Sequence, residues 1–160
     1  MKSVRDVRQK RLEVLLWSIA FPGFGQFLNK KYIKAIVFII LEFMINIGGN
    51  INKVIVSSFI LDTEQAILEA DYLWLMFYPC IYVFAIWDAY RDAGGGEFPF
   101  IFIPYVIAAY TGTLGVIYSL KTHIQGFYIG PVFLPIMTMI GGFIIGVYVR
   151  KLLCRNLSEE

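Results

Sequence analysis

Apolar residues dominate four stretches of this chain, residues 33–61, 63–91, 100–119 and 131–149, and charged or glycine-rich segments separate them. A helix crossing a hydrocarbon core of ~30 Å needs about 20 predominantly apolar residues, so each stretch predicts a membrane span. The first counts 29 residues. At 1.5 Å per residue that is ~43 Å of helix, longer than the core is thick, so part of it must protrude, tilt or break. Gly48-Gly49 is the obvious place for a break. Asp62 with Gln65 three residues on resembles a capping box, which puts the bend of a tall hairpin near Leu61-Asp62. The returning arm opens with Glu64, Glu69 and Asp71, too acidic for lipid, and Pro79 is expected to kink it and leave the Leu75 carbonyl without its usual donor.

The clearest helix stop is Arg91-Asp92-Ala93-Gly94-Gly95-Gly96-Glu97. A second hairpin follows, residues 100–119 and 131–149, joined by the polar loop Lys121-Thr122-His123-Ile124-Gln125-Gly126, in which His123 reads as a solvated residue. Pro104 is tolerable because it lies near the first turn of its helix. Arg150, Lys151 and Arg155 close the last span, and the final Leu-Ser-Glu-Glu of the 150–160 tail is expected to fray.

Ahead of all this, residues 3–31 predict an amphipathic segment that dips into the membrane and returns. Ser3 is a candidate N-cap; Arg5, Arg8, Lys10 and Arg11 supply charge; Val4, Val7, Leu12, Leu15 and Leu16 supply apolar surface. Residues 12–21 are about half the length of a span and include Glu13. Pro22 then removes a backbone donor, and Gly23 and Gly25 permit dihedrals closed to other residues, so a continuous helix through Pro22-Gly23-Phe24-Gly25-Gln26-Phe27 is not expected. Non-helical backbone at that depth must be packed under other helices. Asn29-Lys30-Lys31 brings the chain back to water, with Tyr32 and Lys34 as interfacial anchors.

Composition agrees. Across 160 residues, 58% are hydrophobic and 16% charged, and the mean hydropathy is +0.67, far more apolar than a soluble domain. The expected fold is therefore all-α, a polytopic membrane bundle of four transmembrane helices plus an N-terminal re-entrant hairpin. Charge orients it. If the hairpin returns to the side it entered, twelve of the 14 Lys and Arg face one compartment, and only Lys53 and Lys121 face the other; if it crosses, the split is seven to seven. The positive-inside rule selects the first arrangement, with both termini in the cytoplasm. The net charge of +2 lacks the basic, aromatic-interleaved groove of a nucleic-acid binder, so lipid is the expected partner and nucleic acid is not. The N-terminal basic and apolar regions lack a small-x-small cleavage site, and no removable signal peptide is read. Cys80 and Cys154 lie at different depths on this topology, implying no disulfide, and Cys154 reads as an unmodified thiol.

Candidate chemistry is sparse. Glu42 falls near the midplane, ~13 Å above the start of its helix, with Asn46, Gly49 and Asn50 on the same face. Two readings stand: a proton or cation relay, or a neutral acid hydrogen-bonded across helices and holding the bundle together. Asp88, in Trp87-Asp88-Ala89-Tyr90-Arg91-Asp92, is placed to meet Lys30, Lys31 or Arg91 and tie the hinge to the foot of the hairpin. Ala108, Gly112, Gly115 and Ser119 make a stripe of small residues on the third span, and Gly142 and Gly146 a G-x-x-x-G step on the fourth. Such steps let helices approach closely, within the chain or between two copies, and short connections favour the former. No nucleophile and base, metal-ligand spacing or phosphate loop is present, and Gly94-Gly95-Gly96 without a following Lys-Ser/Thr is a linker. No cofactor is expected.

Pro22-Gly23-x-Gly25-Gln26-Phe27, then Tyr32-x-Lys34-Ala35, and Ile86-Trp87-Asp88-Ala89-Tyr90 on the next inward-running helix resemble the pattern of TM2-like small membrane proteins. In that group a Pro-Gly-x-Gly-Gln-Phe-Tyr-like segment precedes a Lys-Gly step, and an Asp follows an aromatic at the end of the second helix. The likeness covers about residues 18–45 and 84–91; here Leu28 replaces the usual Tyr, Asn29 and Lys30 stand where Gly is common, and Ala35 replaces the Gly after Lys34. The resemblance implies a scaffold, accessory or regulatory role in the cytoplasmic membrane of a bacterium, alongside another membrane protein or a second copy. The alternative is a small transporter or channel component with a polar path at Glu42, Asn46 and Asn50.

Overall fold

The computed structural model describes residues 4–124 and 126–157. The expectations for Lys2, the Ser3 N-cap, Gln125 and Ser158-Glu159-Glu160 lie outside those residues. Among them the chain is helical apart from one antiparallel pairing, His123–Ile124 (β1) with Phe127–Tyr128 (β2), where a polar loop was expected. Helix α1 (Val4–Ala20) runs up to the Pro-Gly turn, and the single-turn α2 (Phe24–Leu28) runs back. Helix α3 (Tyr32–Gly48) rises again, and α4 (Ile51–Phe59) leaves it at a bend of 66°. The return is made by α5 (Thr63–Glu69), α6 (Tyr72–Leu75) and α7 (Tyr78–Asp92). A 3-10 turn at Gly95–Glu97 leads to α8 (Ile103–Tyr118), and α9 (Gly130–Asn156) closes the bundle.

The number of spans differs from the sequence-based count of four. Tyr72–Asp92 and Gly130–Asn156 are long and apolar enough to cross a membrane, and the bent pair Tyr32–Gly48 and Ile51–Phe59 makes a third if taken as one span. The fourth, α8, has 16 residues and starts at Ile103 rather than near residue 100, because Phe100 sits at φ +53° and holds the chain in a turn. Residues 33–61 are not one helix either. Asn50 adopts φ +53° just after Gly49, the left-handed conformation Asn tolerates, and this turns the chain off the α3 axis.

The returning arm is also broken. Ala70 and Asp71 are extended, and the Asp71 carboxylate accepts the Leu73 amide at 2.9 Å, starting α6 afresh. Helix α6 ends at Leu75 and α7 begins at Tyr78, so Pro79 lies in the first turn of α7, where its missing N–H is no loss, and the expected kink takes the form of an interruption just ahead of it. The capping residue at Asp62 does form, accepting the Gln65 amide at 3.2 Å, while the Gln65 side chain turns to Glu69 rather than back to Asp62. Three apolar clusters hold the bundle: Ile45, Ile51, Leu75 and Val116; Val83, Ile86, Tyr105 and Ala108; and Val14, Ala89 and Ala93.

Helices α8 and α9 pack through their small residues. A Cβ on Gly142 would meet Thr111 Oγ1 at 2.0 Å, one on Gly146 Pro104 Cα at 2.4 Å, and one on Gly115 Pro135 Cα at 2.7 Å. Gly112 faces Met139 and Pro79, and Ala108 is buried beside it. Pro135, inside α9, is thus accommodated because Gly115 opposite presents no side chain.

Candidate functional site

The site begins at the turn. Tyr82 on α7 donates its hydroxyl to the Ile19 carbonyl at the top of α1, while ten residues on along α2 Asn29 Nδ2 donates to the Ala89 carbonyl at 2.8 Å. Tyr82 and Ala89 are two turns apart on α7, so the chain goes up beside that helix and comes back down it. Pro22 and Gly23 form the apex, buried, with Gly23 at φ +101°. Gly25 is the point of closest approach: a Cβ there would lie 1.8 Å from Ser18 Oγ and 2.8 Å from Ala89 Cβ. Helix α2 ends in a Schellman motif, Lys31 N–H bonding the Gln26 carbonyl and Lys30 N–H the Phe27 carbonyl, both at 2.9 Å. Its left-handed position is Lys30, φ +60°.

Gln26 is fully buried, and its Nε2 donates to the Ala85 carbonyl at 2.8 Å and to Asp88 Oδ2 at 3.3 Å. Ala85 and Ala89 are each fully buried on the face of α7 that α2 covers. Small side chains there allow an amide to reach a helix backbone. Asp88 is the hub. Its Oδ1 accepts Lys34 Nζ at 2.8 Å and Arg91 Nη2 at 2.7 Å; Lys34 also reaches Asp92 Oδ2 at 2.8 Å, and Arg91 Nη2 lies 3.5 Å from Asp92 Oδ1. Two cations and two anions balance. The Arg91 guanidinium stacks on the Trp87 ring, 4.6 Å from its centroid. Among the described residues, the ion partners of Asp88 are Lys34 and Arg91, not Lys30 or Lys31. Sequence reasoning assigned Lys34 to anchoring only; its place one turn beyond Lys30-Lys31, at the start of a helix facing α7, was the available signal.

Higher in the bundle, Tyr78 donates to Glu42 Oε1 at 3.2 Å, and Glu42 Oε2 is buried with no hydrogen-bond partner among the described residues. The other two polar residues of that helix face are engaged elsewhere. Asn46 Nδ2 donates to Asn52 Oδ1 at 3.1 Å, and Asn50 Nδ2 to the Glu69 carbonyl at 3.2 Å. The three side chains are therefore not brought to a common point. Among the described residues no group of three or more His, Cys, Asp or Glu is placed to hold a metal, and Cys80 and Cys154 are free thiols. No protein-family model matches the chain, and neither a curated protein nor a solved structure is significantly similar to it.

Proposed function

We propose that this chain is a non-catalytic membrane protein, a scaffold or an accessory or regulatory subunit of a membrane complex, organised like the TM2-like proteins its hinge resembles. In this reading it sits in the cytoplasmic membrane with four spans, the α3–α4 pair, the α6–α7 segment, α8 and α9. Helices α1 and α2 form a re-entrant hairpin, and both termini are cytoplasmic. The charge asymmetry and the doubling back of α1 and α2 beside α7 support this orientation.

One observation carries the non-catalytic reading. The donors of four side chains at the hinge, the start of α3 and the end of α7 are taken up by α7: Gln26 on Ala85 and Asp88, Asn29 on Ala89, Lys34 and Arg91 on Asp88 and Asp92. That is a clasp between helices, and the polar atoms it leaves without a partner among the described residues, Gln26 Oε1, Asn29 Oδ1 and Trp87 Nε1, are buried. The topology is tested by single-cysteine labelling in a background lacking Cys80 and Cys154. Probes at Arg5 and Lys31 are expected on the same side, opposite one at Lys121; Lys31 opposite Arg5 overturns the reading.

The second reading, a proton- or cation-conducting component, is favoured by the unpartnered Glu42 Oε2. Reconstituted vesicles enclosing a pH-sensitive dye separate the two. No protein-dependent flux is expected for a scaffold, and a flux abolished by Glu42→Gln with the fold retained would establish the path instead.

A further inference from the structure

Helix α1 carries a basic side chain whose donors the fold uses only in part. Arg11 is four-fifths buried; its Nη2 lies 3.2 Å from Glu97 Oε2 on the 3-10 turn, and its guanidinium sits 5.9 Å from the Phe98 centroid. Its Nε is buried and has no hydrogen-bond partner among the described residues. The Arg11 side chain lines a cleft of about 750 Å³ between α1 and the end of α7. Arg8 and Glu97 form the rim, and Val7, Leu12, Leu15 and Tyr90 the walls.

A guanidinium offers five N–H donors in a rigid fork that matches the oxygens of a phosphate. Glu97 holds Nη2, and Nε is buried against Gly94, so the part of the guanidinium that stays accessible is what the cleft can offer an anion. Arg8 is three residues before Arg11, on the same side of the helix, and adds a second cation at the rim. The walls are apolar, so an inorganic anion would satisfy the rim and leave the remaining surface uncovered. An amphiphile satisfies both. Glu97 is exposed on a short turn, 73% accessible, and competes for Arg11 without being locked in place.

We propose that this cleft binds one anionic phospholipid, its phosphodiester on Arg11 and Arg8 and its acyl chain against Val7, Leu12 and Leu15. The inference rests on the reading of α1 as lying at a membrane surface, but it adds a saturable site with a competing carboxylate. Diffuse attraction of a basic helix to headgroups has no such geometry, and depends on the number of basic residues rather than on which of them is removed.

The full chain in detergent, titrated with phosphatidylglycerol or phosphatidylcholine of the same acyl chains and analysed by native mass spectrometry, tests this. One phosphatidylglycerol is expected to be retained, with about tenfold preference over phosphatidylcholine, and Arg11→Gln to reduce that retention about tenfold. Lys10→Gln, on the same helix and outside the cleft, should leave it unchanged. Glu97→Gln, which touches only the exposed competitor, should raise retention roughly threefold or more, and keeps the test open if Arg11→Gln fails to fold. Equal losses in Lys10→Gln and Arg11→Gln, no gain in Glu97→Gln, or no preference between the lipids would overturn the proposal. Displacement of the lipid by millimolar inorganic phosphate would do so as well, making the site one for the free anion. The labelling of Arg5 and Lys31 fails or succeeds independently, so an error in topology is not mistaken for an error here.

Discussion

Gln26 Nε2 lies 2.8 Å from the carbonyl oxygen of Ala85, a fully buried amide bonded to the backbone of a helix that begins 52 residues later in the chain. Removing the donor leaves the cavity and costs the bond. Gln26→Leu is expected to lower stability by about 1–3 kcal/mol, read as a fall in Tm in detergent. Gln26→Glu should cost more, because it puts a second carboxylate beside Asp88 Oδ2, which the amide now approaches at 3.3 Å.

Gly25 has no room for a methyl group. Ser18 can rotate away, but Ala89 Cβ at 2.8 Å belongs to a rigid helix face. Gly25→Ala is expected to destabilise by roughly 1–3 kcal/mol through overpacking, and Ala89→Gly in the same chain to restore part of the loss. A double variant no more stable than Gly25→Ala would place the strain elsewhere.

Lys30 holds the left-handed position that ends α2, φ +60°, where a glycine pays no steric cost. Lys30→Gly should therefore be neutral to stabilising, by up to about 1 kcal/mol, despite removing a charge. Lys30→Val should destabilise, since a β-branched side chain resists that conformation. Thermal melts of the two variants decide it.

Asp88 and Asp92 both bind Lys34, but their side chains are 5% and 16% exposed, and only Asp88 also accepts from Gln26. Asp88→Asn is expected to be the worse of the two, by roughly 1–2 kcal/mol once screening of the half-exposed Lys34 and Arg91 is allowed for. Comparing the Tm of the two single variants checks the ranking.

Glu69, at the end of α5, accepts Ser57 Oγ at 2.7 Å and Gln65 Nε2 at 3.1 Å. The Ser57 hydrogen bond first, and then Gln65, hold its carboxyl below the usual range. A carboxyl lowered in the folded state contributes stability in full above its unfolded-state value and loses it as the pH falls through the folded one. The protection of α4 and α5 amides against exchange, taken relative to their intrinsic rates at each pH, should therefore fall as the pH drops below about 4, and Ser57→Ala should shrink that dependence.

The sequence disclosed where the chain must turn, because turning depends on a few residues with local rules. Pro22-Gly23 marked the apex, Gly48-Gly49 the bend beside Asn50, and Asp62 the start of α5. It did not disclose the break at Ala70-Asp71, since one aspartate capping the next helix looks, in an apolar stretch, like an acidic residue outside lipid. Partner choice was the harder part. Asp88 was expected to meet Lys30, Lys31 or Arg91; it meets Arg91 and, in place of Lys30 or Lys31, Lys34, because helix rotation and the reach of a side chain follow from packing on α7. Glu42 was legible as a costly residue, but Tyr78, which bonds it, lies on the far side of the break and its register depends on where α7 restarts.

The clasp between Gln26 and Ala85 also sets an order of assembly. The two residues are 59 apart, so at ordinary synthesis rates of about 5–20 residues per second the amide waits roughly 3–12 s after it is made for its acceptor to exist. Throughout that interval the first hairpin has α3 to pack against, Gly23 on Ala35 and Ile39, but not the helix that takes its buried amide. The proline-glycine loop is written first and fastened late, and any factor that escorts the nascent chain must shelter it until residue 92 has been made.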